Sequence, residues 1–299
     1  MSWEAVARKD FRDSVRSWWL WGLTVIFLTF FVVPAYLFAR EIGGFVEAEG
    51  GELSADVFIG LLAEINAFFI PIIAIVIAYA AIAGERDSGS LKLLLSLPHS
   101  RRDVVMGKCI GRGAVVSIPI VIGFLAAAAV FLITPVTFEP ISYLLFMALT
   151  VLLGLIFVTI AVGISAAAST SRRAMIGTVG IYVLFSLFWT RFAHGISGLL
   201  MEYTDVGQET LVWTELFVLL FNPMEAYKSL SAVLYLEDSF SARFIIAFPD
   251  IPLEFIDGLR EEFGPLPVIF SDAALVSFLI VWLLIPVALG YLVFRETDL

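Results

Sequence analysis

The chain contains a single cysteine, Cys109, so no disulfide can close within it and no cysteine-based metal site can be assembled. Its two histidines, His99 and His194, stand far apart, and neither has a carboxylate or a second histidine at metal-ligand spacing. No metal, bound cofactor or catalytic set is expected. Charge is scarce as well: 15% of the 299 residues are charged and 60% are hydrophobic, whereas soluble domains are roughly 25% charged and about 45–50% apolar. A net charge of −10 disfavours nucleic acid as a partner. No Gly-x-x-x-x-Gly-Lys-Ser/Thr loop occurs, which excludes ATP hydrolysis by the P-loop route. There is no internal repeat of fixed period.

What the sequence does contain is long apolar blocks. A bilayer core about 30 Å thick needs roughly 20 apolar residues in helical form. Six stretches qualify: 19–38, 65–83, 114–133, 141–168, 174–192 and 273–294. The fold class is therefore an all-α integral membrane protein with six transmembrane helices. The first stretch is too long for a signal-peptide core and has no small-residue cleavage pattern after it, so it reads as a retained span. Pro71, Pro119 and Pro286 fall inside spans, where each removes a backbone donor and predicts a bend.

Thirteen of the 18 Lys and Arg residues lie before the first span, after the second, after the fourth and after the sixth. Basic loops stay in the cytoplasm, so these segments are expected to share that side, with both termini inside a multi-pass plasma-membrane protein. The opposite side receives Glu41, Glu47, Glu49, Glu52 and Asp56, the turn 134–140, and the segment 193–272, which holds thirteen acidic residues and three basic ones. In that segment the best apolar run, 211–221, is too short to cross and carries Glu215. Asn222-Pro223 ends or bends it, 224–236 reads as a second short helix, and four prolines punctuate the rest. A small extracellular helical cap with interfacial helices is predicted between the fifth and sixth spans. The acidity suits a salt-loving source such as a halophilic archaeon; a cation-attracting vestibule is the functional alternative.

Two amphipathic elements lie on the basic side. In residues 1–18, Trp3, Ala7, Phe11, Val15 and Trp18 form one stripe flanked by Arg8, Lys9, Arg12 and Arg16, which predicts an elbow helix lying on membrane lipid. The loop 84–113 is patterned throughout. Ser88 and Gly89 suit a turn, Leu91, Leu94 and Leu95 form one apolar face, and Pro98 ends the short helix. Ser100 with Asp103 is a capping box for the next helix. A short leucine-faced helix bordered by Glu85, Arg86, Asp87 and Lys92 fits either a groove on a partner protein or a lipid surface.

The run Glu85-Arg86-Asp87-Ser88-Gly89-Ser90-Leu91 to Ser96-Leu97-Pro98 to Ser100-Arg101, with Lys108 beyond it, resembles ABC-2 type transporter permeases, including those that assist nitrous-oxide reductase maturation. The resemblance spans nearly the whole chain, 1–299, as one permease domain; the Asn222-Pro223-Met224-Glu225-Ala226-Tyr227 patch shares it less specifically. It implies that Glu85, Arg86, Ser88, Gly89, Leu91, Lys92, Leu94, Leu95, Pro98, Ser100 and Arg101 form a coupling hairpin seated on an ABC ATPase. A second, smaller contact would lie at the 169–173 turn with Arg172 and Arg173. It implies a dimer of permeases with two ATPase subunits, ATP and Mg being held by the ATPase, and export as the direction. Gly22 and Gly163 are small residues that would permit close helix approach in such a dimer.

Two other classes compete. An intramembrane enzyme needs paired polar groups at membrane depth, and the spans offer little beyond Glu64 and Asn66, at the outer end of the second span, which could instead sit at the water interface or line a substrate path. A secondary transporter without ATP would be expected to show repeated halves. An apolar pathway suits lipids, drugs or a peptide, while a permease of the nitrous-oxide-reductase type would handle a sulfur or metal-related species.

Overall fold

The computed structural model describes residues 3–16, 18–42, 53–91, 100–134 and 136–296. Six helices in it are long and apolar enough to cross a bilayer: Leu20–Ile42, Val57–Asp87, Arg101–Leu132, Pro140–Ala167, Ser171–Tyr203 and Asp272–Glu296. Each overlaps a hydropathic stretch of the sequence. In chain order the helices are α1 (Trp3–Val15), α2 (Trp18–Leu37), α3 (Ala55–Ala78), α4 (Ala83–Asp87), α5 (Arg101–Leu132), α6 (Pro140–Ala167), α7 (Ser171–Val183) and α8 (Trp189–Tyr203). They continue as α9 (Gln208–Phe221), α10 (Pro223–Leu236), α11 (Ser239–Ala247), α12 (Ile256–Phe263) and α13 (Asp272–Glu296). A π turn, Phe38–Ile42, extends α2, which also contains a proline, Pro34. Two short strands, β1 (Leu53–Ser54) and β2 (Val136–Thr137), pair in parallel at one end of the bundle.

The bundle is built around α6, which packs against α3, α5, α10 and α13. Phenylalanine fills the contact between α2, α5 and α6: the Phe31 and Phe124 rings lie 4.4 Å apart and Phe146 adjoins Phe124. Gly163 lets α6 and α13 cross backbone to backbone, because a Cβ there would strike the Pro286 carbonyl, and one on Gly290 would strike Gly163. Gly163 is therefore used within the chain, which removes it from the residues expected at a dimer contact; Gly22 has open space around it.

Two expectations change at the acidic end. The fifth span does not stop near 192: α7, a π turn at Leu184–Phe188 and α8 form one helix to Tyr203. Its polar extension is supported by α9, through His194 Nδ1 at 2.5 Å from Glu215 Oε1 and the Ser197 hydroxyl donating to Glu215. The segment 208–236 is also not a pair of interfacial helices. α9 and α10 form a hairpin whose second helix packs between α3, α6 and α13. Its turn meets residues in the middle of the spans. The Asn222 amide donates to the Phe185 carbonyl at 2.9 Å, and the Trp189 and Trp282 indoles donate to the Val218 and Phe221 carbonyls at 2.8 and 2.7 Å. A helix end buried in the bundle leaves carbonyls that need donors, and these side chains supply them. Asn222 caps α10 by accepting from the Met224 amide, with Pro223 at the first helical position, so the dipeptide ends one helix and starts the next.

Candidate functional site

The basic end of the bundle is organised by three consecutive residues. α4 starts where the Ser165 hydroxyl of α6 accepts from the Ile82 and Ala83 amides at 3.1 and 3.0 Å. It ends in a turn, with Gly89 at φ +73° and its amide on the Arg86 carbonyl; that conformation favours glycine. Ser88 and Gly89 thus make the turn expected of them. The Glu85, Arg86 and Asp87 side chains then diverge to three parts of the protein.

Glu85 turns inward. Its Oε1 lies 2.7 Å from Lys108 Nζ, and the same ammonium is 2.7 Å from Asp10 Oδ1 of α1. Arg112 Nε adds a contact at 3.0 Å to Asp10 Oδ2, and its Nη1 donates to the Ile77 carbonyl at 3.2 Å. Two carboxylates and two cations make a neutral, mostly buried cluster. Burial of charge is tolerated where each group is paired. The cluster also fixes α1. The buried face of α1 is Val6, Ala7 and Asp10, set against Gly107 and Gly111 of α5. Glycines on α5 leave no side chain in the way, and Asp10 meets its two cations there. Arg8, Lys9 and Arg12 remain exposed.

Arg86 donates to the Ala168 and Ala166 carbonyls at 2.6 and 3.4 Å, at the C-terminal end of α6, where unpaired carbonyls and the helix dipole both favour a cation. Its guanidinium also sits 5.7 Å from the centre of the Phe294 ring of α13. Asp87 accepts from the Ser171 amide at 2.8 Å, at the start of α7, where a carboxylate is favoured for the opposite reason. One tripeptide thus joins α1 and α5, α6 and α13, and α7.

The remaining predicted residues divide. Leu91 is buried in the protein's own core. Lys92, Leu94, Leu95 and Pro98 lie outside the described residues. Ser100 and Asp103 form the predicted capping box, each side chain accepting from the other's amide at about 3 Å. Arg101 donates to the Phe294 and Arg295 carbonyls and lies over the Phe294 ring at 5.3 Å. Arg172 and Arg173 are exposed, Arg173 donating to Ser169 Oγ at 2.6 Å, on the turn that Asp87 draws against the loop. The loop and the 169–173 turn therefore share one surface.

Glu64 and Asn66 are separated. Asn66 is fully buried; its amide donates at 3.3 Å to the Tyr227 hydroxyl of α10, which is 2.9 Å from Thr150 Oγ1. Because the Thr150 proton goes to the Phe146 carbonyl, Tyr227 is the donor to Thr150. Glu64 is exposed and pairs at 3.4 Å with Lys228, which is 2.7 Å from the buried Glu225. The sequence reading missed Asp10, Arg112, Tyr227, Lys228 and Phe294. A lysine at the mouth of an apolar stretch, as Lys108 is, calls for an acidic partner, and Asp10 on the apolar flank of α1 was the available signal.

The model of a family described as "ABC-2 family transporter protein" matches residues 4–299. The chain is 28% identical over 296 residues to the "Probable ABC transporter permease protein NosY" of Stutzerimonas stutzeri, covering 97% of both chains. It is 30% identical over 227 residues to the protein of the same name in Pseudomonas aeruginosa, covering 75% of this chain and 78% of that one. Both relatives are pseudomonad proteins and lend no support to a salt-loving archaeal source. With six membrane-crossing helices and a family match along almost its whole length, the chain belongs to the ABC-2 transporter family as a multi-pass membrane permease subunit.

Proposed function

We propose that this permease is the membrane half of an ATP-driven transporter, coupled through the loop 84–101 to a separate ABC ATPase that holds ATP and Mg. The observation that carries the reading is the Glu85-Arg86-Asp87 junction: a displacement of the loop reaches α1, α5, α6, α7 and α13 through named polar contacts. Glu85 and Arg86 act in this reading as transmitters inside the permease, while Lys92, Leu94, Leu95 and Pro98, with Arg172 and Arg173, meet the ATPase. A partner can bias the permease only through contacts that differ between its nucleotide states.

The basic end, with both termini, faces the cytoplasm. Two permease copies and two ATPases form the transporter. The fifth span supports this arrangement by leaving Ile176, Val179, Leu187 and Phe188 exposed, an apolar face that a second copy or lipid would cover. Export is the direction, Glu64 faces the path, and the resemblance to permeases that assist nitrous-oxide reductase maturation favours a sulfur or metal-related species as cargo.

Co-expression with a candidate ABC ATPase, followed by affinity purification of the permease, tests the reading. Leu94→Glu with Leu95→Glu should release the ATPase while the permease stays abundant in the membrane, since unpaired charge in a docking groove costs several kcal/mol. Undiminished ATPase binding and ATP-dependent transport by that variant would refute the coupling role.

A further inference from the structure

The last helix is held at both ends by arginines and crosses α6 near one of them. At its C-terminal end, Arg101 donates to the Phe294 and Arg295 carbonyls, and Arg86 and Arg101 both lie over the Phe294 ring. At its other end Asp272, the first residue of α13, pairs with the fully buried Arg243 of α11. Arg243 also donates to the Phe270 carbonyl at 3.0 Å and to the Ser229 carbonyl and hydroxyl of α10 at 3.2 and 3.0 Å. Midway, the Trp282 indole holds the Phe221 carbonyl at the turn of the α9–α10 hairpin. Besides α6, α13 meets the first turns of α5 near Val287 and Tyr291, and its polar partners fall into two groups, the 84–101 loop at one end and, along the rest, the hairpin together with Arg243 of α11.

Between the two groups is the crossing at Gly163 and Gly290, where the two backbones approach so closely that neither position has room for a side chain. Gly290 is four residues from Phe294 and eighteen from Asp272, which at 1.5 Å per residue gives arms of about 6 and about 27 Å. Pro286, whose missing amide weakens the helix, lies against Gly163 at the crossing itself. The long arm from Asp272 to Ile285 contains neither proline nor glycine.

We propose that α13 is a lever that pivots on the Gly163–Gly290 crossing, with Arg86 and Arg101 moving its short arm and the α9–α10 hairpin carried on its long arm. A displacement of Phe294 is enlarged roughly fourfold at Asp272 by the ratio of the arms. The lever takes the loop as its input and so rests on the coupling role proposed above. It adds that the loop's output is the position of the hairpin turn at Asn222 and Pro223.

Hydrogen exchange on the full-length permease in lipid nanodiscs, without any ATPase, tests the lever itself. Arg101→Ala should speed exchange at least about threefold both in 291–296 and in 222–236, at the far end of the helix. Phe294→Leu, which removes the ring under both arginines but leaves the carbonyls capped, gives a second variant should Arg101→Ala fail to fold, and the same two segments should respond. Adding Asp272→Ala together with Trp282→Phe to either variant removes the two side-chain links from the long arm to the hairpin and Arg243, and should abolish its effect on 222–236 while leaving that on 291–296. A response confined to 291–296, or one in 222–236 that survives the loss of both links, would overturn the lever. Because no ATPase is present, failure of the permease to bind one would refute the coupling role and leave this result standing.

Discussion

Glu85 lies with its carboxylate 2.7 Å from the Lys108 ammonium, which is itself 2.7 Å from the Asp10 carboxylate of α1. Lys108 is 7% exposed and shares its charge with Asp10, which is 5% exposed. Replacing Lys108 with Met leaves the buried Asp10 carboxylate with Arg112 alone and the partly buried Glu85 without its cation. Removing one member of a buried ionic group costs about 3–5 kcal/mol. Thermal unfolding in detergent should show that loss, and Asp10→Asn added to Lys108→Met should recover part of it. If Lys108→Met unfolds with the wild type, the cluster contributes nothing to stability.

The Tyr227 hydroxyl joins three helices at the level of the hairpin turn. Tyr227→Phe leaves the Asn66 amide and the second lone pair of Thr150 without that partner, at a cost of about 1–3 kcal/mol. Tyr227→Phe with Asn66→Leu removes both sides of the contact and should be more stable than Tyr227→Phe alone. Purely additive losses in this double-mutant cycle would show that the two groups do not interact.

Gly163→Val introduces a side chain where the Pro286 carbonyl lies. The helices must separate, so overpacking of about 1–3 kcal/mol is expected, with α13 displaced. Loss of chain abundance or a lowered unfolding midpoint would report it. Gly22→Val, at a position with open space around it, is the control and should leave the isolated chain as stable as wild type.

At the acidic end, Asp238 starts α11 and meets Arg260. Burial alone would raise its pKa, but hydrogen bonds from the Ser241 hydroxyl and amide, with the Arg260 charge, outweigh it and hold the carboxyl below its ordinary value. The contribution of its charge is present above the unfolded value, about 3.9, and fades as the pH falls through the lower folded one. Asp238→Asn keeps a capping side chain and loses only the charge. The gap in unfolding temperature between the variant and wild type should be constant near neutral pH and close below about pH 4. A gap that persists unchanged at pH 3 would contradict this account.

Local features of this chain were readable before its fold. Hydropathy is summed over neighbouring residues, so six spans announce themselves. A cap involves residues two or three apart, and Ser100 with Asp103 acts as its spacing foretells. Only the tertiary structure decided where the charges of the loop go. Glu85 meets Lys108 and Asp10, and Arg86 meets Ala168 and Phe294, across separations that leave no periodic trace in the sequence. The same holds for the hairpin of α9 and α10. Each helix is too short to cross a bilayer, which places it on a surface by length alone. Its depth is set instead by Trp189, Trp282 and Asn222, distant or facing side chains that satisfy backbone groups no water would reach inside the bundle.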